Sequence, residues 1–102
     1  MRALEVGVVG CGFMGRMHAS VYSLLPNAEL VAVVDRTLER ARPLGDNFGA
    51  KVYDSLDNLL KAEQVDAIDI CLPTHRHKEF TVKAAKAGKH VMCEKPMALN
   101  LR

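Results

Sequence analysis

The sequence predicts an α/β fold, in which helices cover both faces of a doubly wound parallel sheet of about five strands. Short apolar runs, rich in valine and isoleucine, recur along the chain and are bounded by turn residues. Such runs are typical of strands that are buried on both faces of a parallel sheet. Segments with apolar residues at helical spacing separate these runs, so we expect right-handed helical crossovers between the strands.

Strands and helices are predicted in strict alternation. The strands are residues 4–9, 29–34, 51–53, 67–72 and 90–93. The helices are residues 13–25, 37–48, 56–61 and 75–87. Pro26, Gly49 and Gly88 indicate where three of the helices end. Ser55 is a suitable N-cap for the third helix. Pro43 falls inside the second helix, where it removes a backbone donor and is expected to kink or split the helix.

The composition describes one globular domain. The chain has 102 residues, of which 49% are hydrophobic and 25% are charged, as in ordinary soluble domains. The net charge of +2 is too small to favour nucleic acid or an anionic membrane surface as a partner. No apolar run is long enough to span a bilayer, and a strand begins almost at Met1, which leaves no room for a signal peptide. We therefore expect a cytoplasmic protein.

The segment after the first strand has the glycine spacing of a phosphate-binding loop. Gly10, Gly12 and Gly15 form a GxGxxG pattern between a strand and a helix. The first glycine permits a tight turn, the second lets the backbone approach a pyrophosphate, and the third lets the helix pack closely. The amides of Phe13 and Met14 would then face the phosphates. The alternative is a glycine-rich turn that binds nothing.

The end of the second strand indicates which dinucleotide is bound. Asp35 follows the last glycine by about 20 residues, where a carboxylate accepts hydrogen bonds from the adenosine ribose. A carboxylate repels a 2′-phosphate, so NAD is favoured over NADP. Arg36 keeps NADP possible, because a guanidinium could pair with that phosphate or stack on adenine. The alternative is a solvated pair of charges at a helix entry.

Three segments are expected to meet at the carboxyl ends of the strands, namely residues 10–15, 71–77 and 93–96. Cys11, Cys71 and Cys93 would then lie near one another, although no CxxC spacing is present. We reject a metal site built from these thiols, because their spacing gives no chelating geometry and no fourth ligand is evident. Small, reduced, buried thiols are the favoured interpretation.

Several polar residues are predicted to lie at or near the carboxyl ends of the strands, and the sequence allows more than one role for most of them. His75 could hydrogen-bond cofactor hydroxyls or be an exposed first-turn residue, whereas His18 is expected to pack against or cap a neighbour. Lys95 ends a strand that faces the crevice, so its ammonium could polarise a carbonyl or donate a proton. Asp69 lies inside an apolar strand, where an unpaired charge is costly. It is expected to meet a donor near His90 or to mark a less covered sheet edge.

With these residues assembled, the chain resembles the N-terminal Rossmann domain of the oxidoreductase family named for glucose-fructose oxidoreductase, inositol dehydrogenase and a rhizopine-catabolism protein (Gfo/Idh/MocA). The similarity covers nearly the whole chain and rests on residues 8–18, 33–36, 70–77 and 87–96. The GxGxxG pattern is shared by many dehydrogenases. The segment GKHVMCEKP is much more specific, and the two together carry the resemblance.

The resemblance implies hydride transfer between a nicotinamide dinucleotide and a sugar, cyclitol or related hydroxyl compound. It implies that Lys95 assists proton transfer and orients nicotinamide and substrate, and that the turn from Pro73 to His77 borders the cofactor ribose. The residues expected to bind the cofactor are Gly10, Gly12, Phe13, Met14, Gly15, Asp35, Arg36, Cys71, Leu72, Pro73, Thr74, His77, Glu94 and Lys95. No resident metal is expected.

Residues 1–102 are therefore expected to be an incomplete dinucleotide-binding domain, without its last helix and strand and without the C-terminal substrate domain of the family. Such a chain would be inactive alone, and the unpaired sheet edge would favour self-association. Two alternatives remain. One is a free-standing nucleotide-binding or interaction module. The other is a methyltransferase, but the EKP segment and the full GxGxxG spacing argue against it.

Overall fold

The computed structural model describes residues 3–93, apart from the side chains of Thr74, His75 and Cys93. The strands are β1 (Leu4–Val9), β2 (Ala28–Val34), β3 (Lys51–Tyr53), β4 (Ala67–Ile70) and β5 (His90–Cys93). The helices are α1 (Phe13–Leu24), α2 (Leu38–Phe48), α3 (Leu56–Ala62) and α4 (Thr74–Lys86). The predicted alternation is confirmed, and the element ends differ from the prediction by at most a few residues.

The strands form one parallel sheet in the order β3-β2-β1-β4-β5. The chain builds outward from β1 through β2 to β3, then crosses back to place β4 on the other side of β1. The order therefore reverses between β1 and β4. In open parallel sheets, ligands bind outside the carboxyl ends of the strands at such a point.

Helices cover both faces of the sheet, as predicted. On one face, Val8 and Val33 pack with Ala19 of α1 and Leu44 of α2 in a buried cluster. On the opposite face, a second buried cluster joins the sheet to α3 and α4; its members include Val9, Ile68, Ile70, Leu56, Leu59 and Ala84. The sheet thus lies between two buried hydrophobic clusters, one on each face. This packing fixes the carboxyl ends of β1, β2 and β4 relative to one another. Within residues 3–93, no helix combines the length and apolarity that crossing a membrane requires.

The helix α1 packs through small residues. Gly15 and Ala19 are its buried positions, whereas Phe13 and Leu24 are 70% and 81% exposed. Met17 is exposed on the same outer face. The apolar spacing therefore predicted the helix correctly, although Phe13, Met17 and Leu24 point away from the sheet. The half-buried Tyr22 packs against the sheet together with the two small residues.

Pro43 was expected to kink or split the second helix, and the split is wrong. The helix α2 runs from Leu38 to Phe48 with Pro43 inside it. Pro43 is exposed, so water can satisfy the carbonyl of Glu39 that loses its donor. The buried residues Ala41 and Leu44 flank the proline and hold the helix to the sheet.

Replacing Pro43 by alanine should stabilise the domain by about 1 kcal/mol. The substitution returns a donor to the carbonyl of Glu39, and this gain exceeds the entropy that the unfolded chain regains. Urea denaturation of the two proteins measures the difference. As a control, the exposed helical residue Asn47 replaced by alanine should change the unfolding free energy by less than about 0.5 kcal/mol. A free energy of unfolding for Pro43→Ala that is equal to or lower than that of the unmodified chain would contradict this expectation.

Candidate functional site

The glycine loop lies at the end of β1, against the end of β4. Gly10 has φ of 97°, a conformation that favours glycine, and its amide donates to the Val34 carbonyl at 2.7 Å. A Cβ at this position would lie 2.5 Å from the carbonyl oxygen of Cys71. The turn is therefore tight and is wedged between β2 and the segment that follows β4.

The other two glycines have different surroundings. A Cβ on Gly15 would lie 1.7 Å from the carbonyl oxygen of Gly10, so only glycine lets α1 approach the loop. A Cβ on Gly12 would meet nothing within 4 Å. Gly12 is the N-cap of α1 and supplies no side-chain cap, so the first amides of the helix have no such acceptor. This open, amide-lined position is where an anionic phosphate would be received.

Asp35 joins the glycine loop to the entry of α2. It is 9% exposed, and its Oδ2 accepts the Cys11 amide at 2.9 Å. Its Oδ1 accepts the Thr37 amide at 2.8 Å. Each carboxylate oxygen has a second lone pair, so ribose hydroxyls can still be bound. The sequence predicted a ribose acceptor here but gave no sign that the same carboxylate would hold the loop.

A cleft of about 530 Å³ opens beside Gly10 and Asp35. Leu72 and Pro73 line it from the loop after β4, and Phe80 lines it from α4. Its cationic lining residues are Arg36, Arg40, Arg76 and Lys83. Lining carboxylates are fewer, namely Asp35 and Asp54, so the cleft carries a net positive charge that favours anionic ligands. Apolar walls beside a carboxylate and cations suit an adenosine with its phosphates.

The walls of this cleft are held by local contacts. The Arg76 guanidinium and the Lys83 ammonium lie 5.2 and 5.8 Å from the centroid of the Phe80 ring. The imidazole of His77 donates from Nε2 to the carbonyl oxygen of Leu72. His77 therefore stabilises the loop that lines the cleft. The sequence predicted that His77 lies beside the cofactor ribose and did not indicate this stabilising contact.

Cys11 and Cys71 have separate surroundings. Cys11 is 2% exposed and donates to the Val34 carbonyl. Burial, and then the negative charge of Asp35, raise the pKa of the Cys11 thiol to about 12, so the thiol is neutral at physiological pH. Cys71 is half-buried, and its Sγ lies 3.4 Å from Nδ1 of His18, under α1 rather than among the residues that line the cleft.

The partners expected for Asp69 are wrong. Asp69 is 1% exposed in β4, an interior strand, and its Oδ2 accepts the hydroxyl of Tyr22 at 2.7 Å. Nδ1 of His18 lies 2.6 Å from the same oxygen. Burial, followed by the hydrogen bond to Asp69, holds the pKa of Tyr22 well above its ordinary value. His18 and Tyr22 are four residues apart on α1, a spacing that places them on one helix face and could have indicated a shared partner.

Some of the predicted site residues lie outside the part of the chain that the structure describes. Glu94 and Lys95 lie outside the described residues, as do the side chains of Thr74 and His75. The structure brings together the glycine loop, Asp35, Arg36 and the Leu72-Pro73 turn, while Phe13 lies at the start of α1, exposed beside the loop.

The parallel sheet, the glycine loop and the carboxylate at the end of β2 define a dinucleotide-binding α/β domain. The chain belongs to the Gfo/Idh/MocA oxidoreductase family, whose model, described as an oxidoreductase family with an NAD-binding Rossmann fold, matches residues 4–102. The resemblance seen in the sequence is thereby confirmed.

Individual relatives agree with this assignment. The myo-inositol 2-dehydrogenase of Thermotoga maritima is 37% identical over 99 residues, which make up 96% of this chain and 30% of the relative. The D-glucoside 3-dehydrogenase of Escherichia coli is 41% identical over 98 residues, or 94% of this chain and 28% of the relative. The crystal structure of GenD2 from gentamicin A biosynthesis, in complex with NAD, superposes with a TM-score of 0.86 and 34% identity, covering 91% of this chain and 27% of that chain. The chain thus spans less than a third of the length of these relatives.

Proposed function

We propose that this chain binds NAD as part of an oxidoreductase that transfers hydride between nicotinamide and a hydroxyl carbon of a sugar or cyclitol. The observation that carries the proposal is the junction of Gly12, Asp35 and the positively charged cleft at the reversal of strand order. The relatives named for inositol and glucoside substrates support the substrate class. Bound NAD would supply the hydride acceptor, while residues of this chain hold its phosphates and adenosine.

The preference for NAD over NADP is proposed from Asp35. Its carboxylate is fixed by two backbone amides, so it cannot easily turn away from a 2′-phosphate. Arg40 lies 4.0 Å from Oδ2 of Asp35 and is mostly exposed, too remote to neutralise the carboxylate fully. Electrostatic repulsion at this position therefore favours the unphosphorylated ribose.

Replacing Asp35 by asparagine should weaken NADH binding about tenfold and narrow the difference between NADH and NADPH. The substitution removes the charge that repels a 2′-phosphate and leaves one acceptor oxygen. Nicotinamide fluorescence on titration with each cofactor measures both affinities, and thermal melting shows that the variant is folded. Asp54→Asn is the matched control, because Asp54 lines the same cleft from an exposed position. Tighter binding of NADPH than of NADH by the unmodified chain would contradict the preference.

Lys95 is proposed as the residue of this domain that assists proton transfer, on the strength of the EKP segment that it shares with the family. In an enzyme that carries the complete set of domains, Lys95→Ala should lower turnover by about 10² to 10⁴ and change NADH affinity by no more than about twofold. Lys86, in the exposed last turn of α4, provides the control variant Lys86→Ala. Steady-state kinetics separate the two effects, and unchanged turnover in Lys95→Ala would remove this residue from the reaction.

Self-association and a cytoplasmic location remain predictions. The former is supported by β5, which is an outer strand of the sheet formed by residues 3–93.

A further inference from the structure

A cluster of three different metal-ligating side chains lies beneath α1, outside the cleft described above. His18 comes from α1, Asp69 from β4, and Cys71 follows β4 directly. One ligand atom from each of the three residues lies within 4.8 Å of the other two. The residues come from two distant parts of the chain, so the fold rather than local sequence brings them together.

The two distances from the Cys71 sulfur match the edges of a tetrahedral metal site. Cys71 Sγ lies 3.4 Å from His18 Nδ1 and 3.6 Å from Asp69 Oδ1. Around a tetrahedral zinc ion, sulfur lies about 3.5 Å from a nitrogen or oxygen ligand, given Zn–S bonds of about 2.3 Å and Zn–N or Zn–O bonds of about 2.0 Å. A cation bound by Oδ1 would replace the contact that His18 Nδ1 makes with Oδ2.

The charges also suit a divalent cation. A carboxylate and a thiolate supply two negative charges, and a neutral imidazole supplies none. The side chain of Asp69 is 2% exposed, and buried charges in proteins are paired or coordinate metals, so a cation at this position would be stabilised by the carboxylate. Sulfur and nitrogen ligands favour zinc-like cations over magnesium and calcium, which take oxygen ligands.

The surroundings provide support for the ligands and a way in for an ion. The hydroxyl of Tyr22 donates to Asp69 Oδ2 and orients the carboxylate. The Cys71 thiol donates to Oδ1, and a cation would replace that proton, because metal binding deprotonates a thiol ligand. The side chain of His18 is 14% exposed and Cys71 is half-buried, so the ion has access from the solvent.

We propose that His18, Asp69 and Cys71 form a binding site for a zinc-like divalent cation, with a fourth position open to solvent. This site differs from the three-cysteine site that the sequence led us to reject, because an imidazole and a carboxylate replace two of the thiols. The site is independent of the proposed cofactor cleft and requires no bound dinucleotide.

Titration of the chain with Co²⁺, followed by absorption spectroscopy, tests this proposal. We expect a stoichiometric complex with a thiolate-to-cobalt charge-transfer band and the strong visible bands of tetrahedral Co²⁺. Zn²⁺ should displace the cobalt and raise the melting temperature. Cys71→Ser should lose the charge-transfer band. Tyr22→Phe should weaken binding about 10- to 100-fold, the usual effect of removing a hydrogen bond to a metal ligand.

The double variant Cys11→Ser/Cys93→Ser is the matched control. It leaves Cys71 as the single thiol of the chain and should retain the band, which keeps the test decisive even where Cys71→Ser fails to fold. Absence of a charge-transfer band in the unmodified chain would overturn the proposal. Loss of the band in the double variant, or its survival in folded Cys71→Ser, would also overturn it.

Discussion

Gly15→Ala should destabilise the domain by about 3 kcal/mol and remove measurable NADH binding. The new Cβ would lie 1.7 Å from the carbonyl oxygen of Gly10 and 2.7 Å from its carbonyl carbon. Both are backbone atoms, so neither can rotate away as a flexible side chain would. Relief of the clash must move α1 away from the loop, which disrupts the packing of Ala19 against the sheet. For a domain of this size, the melting temperature should fall by roughly 12–24 °C.

The same substitution at Gly12 separates folding from binding. A Cβ at Gly12 would meet nothing within 4 Å, and its φ of −81° is accessible to alanine. Gly12→Ala should therefore change stability by less than about 1 kcal/mol. It should still weaken NADH binding about tenfold or more, because the methyl group occupies the space through which the pyrophosphate approaches. Equal melting temperatures for the two variants would contradict the close approach of α1 to the loop.

Asp69→Ala should destabilise the domain by about 3 kcal/mol in metal-free buffer. The substitution removes the acceptor of both His18 and Tyr22 and leaves those two polar groups half-buried beneath α1. Leaving such groups without partners costs more than the loss of one exposed hydrogen bond. Chemical denaturation in the presence of EDTA measures this effect without any contribution from a bound cation.

Asp57→Ala is the control for this network. Asp57 is also an aspartate paired with a basic residue, Lys83 at 3.2 Å, but its side chain is 59% exposed. An exposed ion pair contributes less than about 1 kcal/mol, so this variant should melt close to the unmodified chain. Equal decreases in the free energy of unfolding for Asp69→Ala and Asp57→Ala would contradict the account that the contacts of Asp69 with His18 and Tyr22 hold α1 to β4.

The order of the elements could be predicted because each depends on local sequence. Valine-rich runs ended by glycine or proline indicated the strands, and apolar spacing indicated the helices. The glycine loop and Asp35 were likewise visible, because their roles follow from position relative to a strand.

Contacts between distant residues could not be predicted in the same way. The environment of Asp69 depends on α1 lying over β4, and these elements are about 50 residues apart in the chain. The second role of Asp35, as the acceptor of the Cys11 amide, depends on the turn geometry at Gly10. The helix α2 is not split at Pro43, because the packing of Ala41 and Leu44 outweighs the local preference against proline.

The placement of the dinucleotide site is tested most directly by titrating the isotope-labelled chain with NADH and following the backbone amide resonances. A second cleft, also of about 530 Å³, lies at the amino ends of the strands and provides an internal control. We predict saturable shifts at Gly12, Asp35 and Leu72, with unchanged resonances at Gln64 and Lys89, which line the second cleft. A folded chain whose glycine-loop amides do not respond, or whose saturable shifts cluster at the amino ends of the strands, would contradict the assignment.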